Sequence, residues 1–121
     1  MPKEAYDLDS SVTPAMRDQL LQKLKTLPSA PGVYFHKDAK GEVIYVGKAA
    51  VLKNRVRQYF HHSPKDPKTT ALVREIADTD WLVVDTEMDA LFLESEMIKR
   101  YKPKWNILLR DDKTVNYVRV D

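Results

Sequence analysis

The chain has 121 residues, no cysteine and a formal net charge of +2 at pH 7. A chain of this length is expected to form one domain whose core needs no disulfide. The lack of cysteine excludes disulfides, thiolate metal sites and cysteine nucleophiles, and it is consistent with a reducing cytoplasm. No apolar run approaches ~18 residues, and the polar start Met1–Asp7 predicts no signal peptide. We therefore expect a cytoplasmic protein that does not enter the membrane.

Charge is distributed unevenly along the chain. Residues 48–74 carry seven Lys or Arg and one acid, residues 75–96 carry eight acids and no base, and residues 99–113 carry six bases and two acids. Two basic blocks around an acidic block indicate a phosphate-binding face, with another face or a metal site between. The alternative is that these cations scatter around the fold.

The N-terminal part of the chain predicts a tail followed by a helix. Residues 1–12 lack hydrophobic periodicity and are predicted to form a flexible tail, with a single domain over residues 13–121. Thr13 and Pro14 suit the N-cap and first position of a helix, and leucines at helical spacing follow until Pro28.

Two short β-branched and aromatic runs then predict a β-hairpin. Val33–Phe35 and Val43–Val46 flank a polar stretch that contains Gly41. Antiparallel pairing of these strands would bring Tyr34 close to Tyr45. From spacing alone, both tyrosines are better explained as half-buried aromatic residues of a sheet than as site residues.

The rest of the chain predicts helices and one further strand. Arg55 is expected beside the apolar face of the first of these helices, at the border between buried and exposed surface. The fold class is therefore α+β, a small three-stranded antiparallel sheet flanked by helices. The predicted elements are a helix at 51–59, a helix from Thr69 or Thr70 to Ala77, a strand at 80–86, and a helix at 87–102 that Thr86 caps.

Glu94 lies in the middle of an apolar stripe on the last predicted helix. An isolated carboxylate in a buried stripe is costly, so it must be paired, protonated or bound to a cation. The alternative to a metal ligand is a structural salt bridge. The stripe consists of Ala90, Leu91, Met97, Ile98 and Tyr101.

The candidate chemical groups favour metal-assisted phosphodiester hydrolysis over a serine–histidine–acid mechanism. Glu94 would bind a hard divalent cation, and Arg55 would stabilise negative charge in the transition state. A tyrosine would accept a proton from water, provided that a cation such as Lys48 or the metal lowers its pKa. The full set is Tyr34, Tyr45, Lys48, Arg55, Tyr59, Glu94 and Asn106, the last predicted to be buried and hydrogen-bonded.

These residues lie in motifs that resemble those of the GIY-YIG nucleases. Gly32-Val33-Tyr34 and Tyr45-Val46-Gly47 resemble the two-part signature, and residues 47–60 resemble its arginine-bearing helix. Residues 88–94 and 98–107 resemble the glutamate and asparagine motifs. The stretches 27–34 and 109–113 resemble, more narrowly, the N-terminal endonuclease domains of UvrC in bacterial nucleotide excision repair.

The resemblance implies an endonuclease that makes the incision 3′ to a DNA lesion with a single Mg²⁺ or Mn²⁺. It makes Glu94 the metal ligand, Arg55 the transition-state stabiliser and Tyr45 the favoured base, with Tyr34 left open as the base. Lys48, Tyr59 and Asn106 complete the implied site.

The implied partners are a damaged DNA duplex and, in the full-length context, UvrB-like excision-repair proteins. The partner-binding segment of UvrC-like proteins is not found in these 121 residues. Two alternatives stay open: a catalytically silent DNA-binding or docking module, and a stand-alone nuclease that cuts branched DNA. The basic blocks offer four DNA contacts, namely Lys53, Arg57, Lys65 and Lys68.

Overall fold

The computed structural model describes residues 10–61 and 65–109. Over these residues the chain forms three strands and five helical segments. No helix in these two ranges is long and apolar enough to cross a lipid bilayer. In chain order the elements are α1 (Pro14–Leu24), β1 (Gly32–Lys37), β2 (Val43–Ala49), α2 (Leu52–Gln58), α3 (Pro67–Glu75), β3 (Asp78–Val83), α4 (Glu87–Tyr101) and α5 (104–109).

Side-chain caps fix the starts of α1 and α4 as local sequence predicts. The Thr13 hydroxyl accepts a hydrogen bond from the Met16 backbone N–H at 3.1 Å. The Thr86 hydroxyl accepts from the Asp89 backbone N–H, also at 3.1 Å. Each bond satisfies one of the N–H groups that a helix start leaves unpaired.

The start of α3 corrects the prediction. The helix was expected to begin at Thr69 or Thr70, but it begins at Pro67. The reason is that Asp66 is the N-cap: its carboxylate accepts from the Thr69 backbone N–H at 2.7 Å. Proline at the first helical position needs no N–H partner, so Asp66 and Pro67 together make the stronger start signal.

The strands form one antiparallel sheet in the order β2-β1-β3, which confirms the predicted hairpin and fold class. The hairpin loop is organised by Asp38, whose carboxylate accepts from the backbone N–H groups of Lys40 and Glu42, each at 3.0 Å. Gly41 follows this turn at φ +85°, a left-handed conformation that glycine adopts without steric cost.

Alternate side chains of β1 supply two hydrophobic clusters, one on each face of the sheet. Tyr34 belongs to the larger cluster, which α1, α2 and α3 cover with Leu20, Leu52 and Leu72 among others. Val33 points the other way, where α4 packs over β1 and β2. The smaller cluster is formed by Val33, Phe35, Val46 and Ala90.

The apolar stripe of α4 is rotated from the predicted one. Ala90 is fully buried, but Leu91 is 42% and Tyr101 48% exposed. Leu93, which lies outside the predicted stripe, packs against the smaller cluster instead. The narrow sheet covers only part of the predicted stripe. Glu94 is therefore half-buried at the edge of the covered surface rather than enclosed at its centre.

The described residues include part of the predicted N-terminal tail, 1–12. Val12 is buried, so the packed part of the chain already includes this residue. Residues 1–9 and 110–121 lie outside the described residues, and the predicted limits of the tail and of the domain stay predictions there.

Candidate active site

Three tyrosines meet on the face of the hairpin that α1, α2 and α3 cover. The rings of Tyr34 on β1 and Tyr45 on β2 have their centroids 6.2 Å apart. Tyr59, directly after α2, lies 5.7 Å from the first ring and 6.4 Å from the second. The hydroxyls of Tyr34 and Tyr59 are 2.8 Å apart, and Tyr59 also hydrogen-bonds with Tyr45. The structure therefore brings the three predicted tyrosines together as one hydrogen-bonded cluster.

Glycines allow this close packing. A Cβ atom at Gly47 would overlap the hydroxyl end of the Tyr34 ring, which is 2% exposed. At Gly32, a Cβ would meet the backbone carbonyl of Leu82 and the side chain of Leu52. Both glycines of the signature are thus required for space, which a φ angle would not have revealed.

Burial raises the pKa of all three tyrosines above its ordinary value of 10. The hydrogen bonds of Tyr59 with its two neighbours act in the opposite direction on its own pKa. The charge of Arg55 lowers the pKa of each phenol, while that of Glu94 raises the pKa of Tyr45 and Tyr59. All three are therefore neutral near pH 7 unless further positive charge comes close.

Arg55 differs from its prediction, because its side chain is exposed rather than set at the border of the core. Its helix α2 is short, and the buried side of that helix is occupied by Leu52 and Val56. Even so, the guanidinium is close enough to influence the pKa of Tyr34, Tyr45 and Tyr59. It combines access to solvent with electrostatic contact to the cluster.

A cleft of about 600 Å³ opens where β2, α4 and α5 meet. It brings together three predicted site residues from distant parts of the sequence, a phenol, a carboxylate and an amide. The cleft is lined by Tyr45, Glu94, Ser95, Ile98, Lys99, Lys102, Pro103, Asn106, Ile107 and Leu109.

Asn106 is hydrogen-bonded as predicted. Its side-chain carbonyl accepts from the Val46 backbone N–H at 2.8 Å, and its amide donates to the Val46 carbonyl at 2.9 Å. These groups lie on the outer edge of β2, where no strand among residues 10–61 and 65–109 pairs with it. Asn106 thus replaces a strand partner and anchors α5 beside the cleft.

Lys48 lies on the other face of the sheet from the tyrosines. It pairs in register with Val33, whereas Tyr34 pairs with Gly47. Because strand side chains alternate between faces, Lys48 shares the α4 face with Val33. The structure therefore places Lys48 and the tyrosine cluster on opposite faces of the sheet.

The four basic residues predicted to contact DNA fall into two groups. Lys53 is half-buried and Arg57 exposed on α2, the helix that carries Arg55. Lys68 donates to the Leu108 carbonyl at 3.1 Å, and Lys65 donates to a backbone carbonyl of the preceding loop at 2.7 Å. Lys68 is thus next to α5, which borders the cleft.

Part of the acidic block is paired with lysines from outside the two basic blocks. Lys23 lies 3.1 Å from Asp78 and 2.6 Å from Asp80. Lys37 lies 2.6 Å from the other oxygen of Asp80, and these contacts hold the pKa of Asp80 below its ordinary value despite its partial burial. This acidic cluster joins α1 to β3 and lies apart from the cleft.

His36 is a buried residue that the sequence interpretation did not single out. It is 0% exposed, its Nδ1 lies 2.8 Å from the Thr79 hydroxyl, and its ring packs 4.7 Å from that of Tyr59. Burial, aided by the charge of Arg17, lowers its pKa to about 3, so it is neutral at pH 7. The sequence did hold a signal for this: His36 follows Tyr34 by two residues on one strand, so both side chains lie on the same face of the sheet.

The described residues contain no cluster of three or more His, Asp or Glu side chains able to hold a metal ion. Among the residues that the structure describes, Glu94 is the acid that lines the cleft. A single carboxylate suits a hard cation such as Mg²⁺, which keeps several waters and binds through one or two carboxylates together with phosphate oxygens. The donor set therefore fits a catalytic cation shared with a substrate phosphate rather than a closed structural metal site.

Comparison with known proteins agrees with this arrangement. Residues 30–107 match the family model of the UvrC-like GIY-YIG domain. The UvrABC system protein C of Caldicellulosiruptor saccharolyticus is 54% identical over 101 residues, covering 84% of this chain and 17% of that protein. The protein of the same name from Ruminiclostridium cellulolyticum is 56% identical over 100 residues, covering 82% and 16%. The chain thus spans about a sixth of the length of these relatives.

Solved structures show the same fold. The GIY-YIG N-terminal endonuclease domain of UvrC from Thermotoga maritima, bound to its catalytic magnesium, superposes with a TM-score of 0.64 at 36% identity. The match covers 78% of this chain and 98% of that one. Point mutants of that domain, three with tyrosine replaced by phenylalanine and one with asparagine replaced by alanine, are also bound to the divalent cation. This chain belongs to the UvrC-like GIY-YIG domain family.

Proposed function

We propose that this chain is a divalent-metal-dependent DNA endonuclease domain that makes the 3′ incision beside a lesion in nucleotide excision repair. The observation that carries the proposal is the cleft shared by Tyr45, Glu94 and Asn106, next to a cluster of three tyrosines. The family match and the magnesium-bound Thermotoga domain support the same activity. The substrate is a damaged duplex, presented by other components of a UvrABC-type system.

Glu94 is the residue that would hold the cation, either Mg²⁺ or Mn²⁺. When bound, the cation would polarise the scissile phosphate and oppose the burial and the negative charge that together raise the pKa of Tyr45. The cation-bound tyrosine and asparagine variants of the Thermotoga domain are consistent with a carboxylate as the principal ligand.

Tyr45 is the favoured proton acceptor for the attacking water. It lines the cleft together with Glu94, whereas Tyr34 is almost completely buried behind it. Its hydrogen bond with Tyr59 continues to Tyr34 through the 2.8 Å hydroxyl contact. Tyr45 can take this proton only as the phenolate, after its own proton has been released to solvent. The hydrogen bonds that link it through Tyr59 to Tyr34 would then spread the negative charge over the three oxygens.

Arg55 supplies the fixed positive charge of the site. Its charge lowers the pKa of all three phenols. Because the side chain is exposed, a phosphate entering from solvent can reach it. It is suited to stabilise the extra charge that builds on the phosphate oxygens in the transition state.

The decisive test replaces Glu94 by glutamine and uses Glu96→Gln as the matched control. Glu96 is exposed on the same helix and does not line the cleft. Glu94→Gln should lower the nicking of a lesion-containing duplex in Mg²⁺ or Mn²⁺ by more than about 100-fold, since outer-shell changes alone cost ~10–100-fold. DNA affinity and the urea unfolding midpoint should change little in either variant.

Nicking by Glu94→Gln at the wild-type rate would refute the metal-ligand role. A wild-type chain that binds the lesion duplex but never cuts it, even with the other excision-repair proteins supplied, would identify a silent docking module instead. Faster cutting of flap or junction DNA than of lesion DNA would point to a branched-DNA nuclease.

A further inference from the structure

Two lysines at the end of α4 line the cleft beside Glu94. Lys99 and Lys102 are both exposed, and both contribute to the cleft wall that also contains Asn106. With a rise of about 1.5 Å per helical residue, they lie roughly 7 and 12 Å beyond Glu94 along α4. Neither was among the predicted DNA contacts, which came from α2 and from residues 65–68.

The charges of these lysines are not used within the described part of the fold. Over residues 10–61 and 65–109, neither Lys99 nor Lys102 forms an ion pair with a carboxylate. Lys23, Lys37 and Lys104, by contrast, each pair with an acid at 3.1 Å or less. Within these two ranges, no carboxylate therefore competes with an anion for the cleft lysines.

Lys102 also occupies a backbone conformation that disfavours lysine. It is the C-cap of α4, at φ +45° and ψ +57°, in the left-handed region where glycine or asparagine is usual. Its side chain is exposed, so packing in the core does not account for its presence. A strained residue at the mouth of a cleft is a reason to look for a function of its side chain.

We infer that Lys99 and Lys102 form a second phosphate subsite, which takes DNA backbone phosphates flanking the scissile one. The inference rests on the proposed function, because it assumes that the scissile phosphate lies at Glu94. A strand that follows the cleft along α4 would meet Lys99 first and Lys102 farther from the cut. Together with Arg55 and α2 beyond the tyrosines, this would guide the strand across the site from both sides.

Arg100 provides the control for a purely structural explanation. Cations in the last turn stabilise any helix by interacting with the negative end of its dipole, and Arg100 lies in that turn with Lys99. Arg100 is exposed but does not line the cleft. Replacing it removes the same charge and the same dipole interaction without touching the proposed subsite.

The experiment measures the binding of the 121-residue chain to a short fluorescein-labelled duplex in EDTA, by anisotropy, over a series of salt concentrations. Each phosphate contact contributes about 0.9 to the slope of log K against log salt concentration. Lys99→Ala and Lys102→Gly should each reduce the slope by about that amount, and the double variant by about twice as much. Arg100→Ala should keep the wild-type slope.

Urea unfolding of Lys102→Gly supplies the second readout. Because glycine relieves the left-handed cap, the unfolding midpoint should stay the same or rise while DNA binding weakens. A lower midpoint combined with a wild-type salt slope would make Lys102 a structural cap and overturn the inference. Slopes for the lysine variants equal to that of Arg100→Ala would overturn it as well.

The nicking assay separates this inference from the proposed function. Lys99→Ala and Lys102→Gly should each need more DNA than the wild-type chain to reach half of their own maximal nicking rate, and Arg100→Ala should not. If the wild-type chain nicks and the salt slopes do not change, only the subsite fails. If nicking does not depend on Glu94, the proposed function fails, and the salt slopes still decide whether the lysines bind phosphate.

Discussion

Asn106 holds the outer edge of β2 by bonding both backbone groups of Val46, at 2.8 and 2.9 Å. Val46 is the neighbour of Tyr45, and Asn106 lines the same cleft as Glu94. One amide side chain therefore fixes the distance between α5 and the strand that carries the proposed base. The role of Asn106 is to position other groups, since its polar atoms are already engaged with the backbone.

Replacing Asn106 should loosen this edge. Asn106→Leu removes both hydrogen bonds, and Asn106→Asp keeps an acceptor for the Val46 N–H but places a second acceptor against the Val46 carbonyl. Both variants should lower the free energy of unfolding by about 1–3 kcal/mol, as measured in urea, and should slow nicking. Asn54→Asp, at an exposed position of α2, is the control and should change neither. Wild-type stability in both Asn106 variants would mean that the edge needs no such partner.

Gly47→Ala should displace the Tyr34 ring. The added methyl group would overlap a ring that is buried and cannot move to solvent, so we expect a loss of about 1–3 kcal/mol in unfolding free energy. Nicking should fall because the hydroxyl contact to Tyr59 is disrupted. In the double variant Gly47→Ala/Tyr34→Ala the clash is absent. The losses of unfolding free energy in the two single variants should therefore sum to more than the loss measured in the double variant. Strict additivity would show that the methyl group and the ring do not meet.

The Tyr34–Tyr59 hydroxyl pair should respond unequally to loss of either partner. Tyr59→Phe leaves the buried Tyr34 hydroxyl without its 2.8 Å contact, which should cost about 1–3 kcal/mol. Tyr34→Phe removes the buried hydroxyl itself and leaves Tyr59 with Tyr45, so it should cost less. The double phenylalanine variant should recover part of the Tyr59→Phe loss in urea unfolding. Equal losses in the two single variants would contradict this account.

The fold was predictable where short-range sequence decides it. Caps such as Thr13 and Thr86 act within three residues, and the hairpin follows from two β-branched runs around a turn. The orientation of α4 was not predictable in the same way. Leu91 and Tyr101 fit the helical stripe, yet both are exposed because the small sheet covers only one side of that stripe. Which side is covered depends on where α4 packs against the sheet.

The candidate site was predictable as a set of residues but less so as an arrangement. The helical stripe singled out Glu94 and motif resemblance favoured Tyr45 as the base, and the structure adds that the two share a cleft. Lys48 could have been assigned to the other face of the sheet from the two-residue period of a strand alone. The burial of His36 depends on contacts with Thr79, far along the chain, which no local pattern reveals.

His36 should make the stability of the fold depend on pH. Burial lowers its pKa from 6.5 to about 3, so between these values the unfolded chain takes up a proton that the folded chain does not. Stability is therefore full above pH 6.5 and falls as the pH decreases toward 3. From pH 7 to pH 5 the free energy of unfolding should drop by about 2 kcal/mol from this group alone, as measured by urea unfolding at each pH.

The control for this effect is His36→Leu, in which the titrating ring is absent. Its stability at pH 7 should be lower than wild type, because the buried Thr79 hydroxyl loses its 2.8 Å partner. The drop between pH 7 and pH 5 should nevertheless be smaller than in wild type by about 2 kcal/mol, since the other histidines remain in both chains. An identical drop in both chains would show that His36 takes up its proton as readily when folded as when unfolded. The ring would then have to reach water, contrary to its position between Tyr59 and Thr79 in the core.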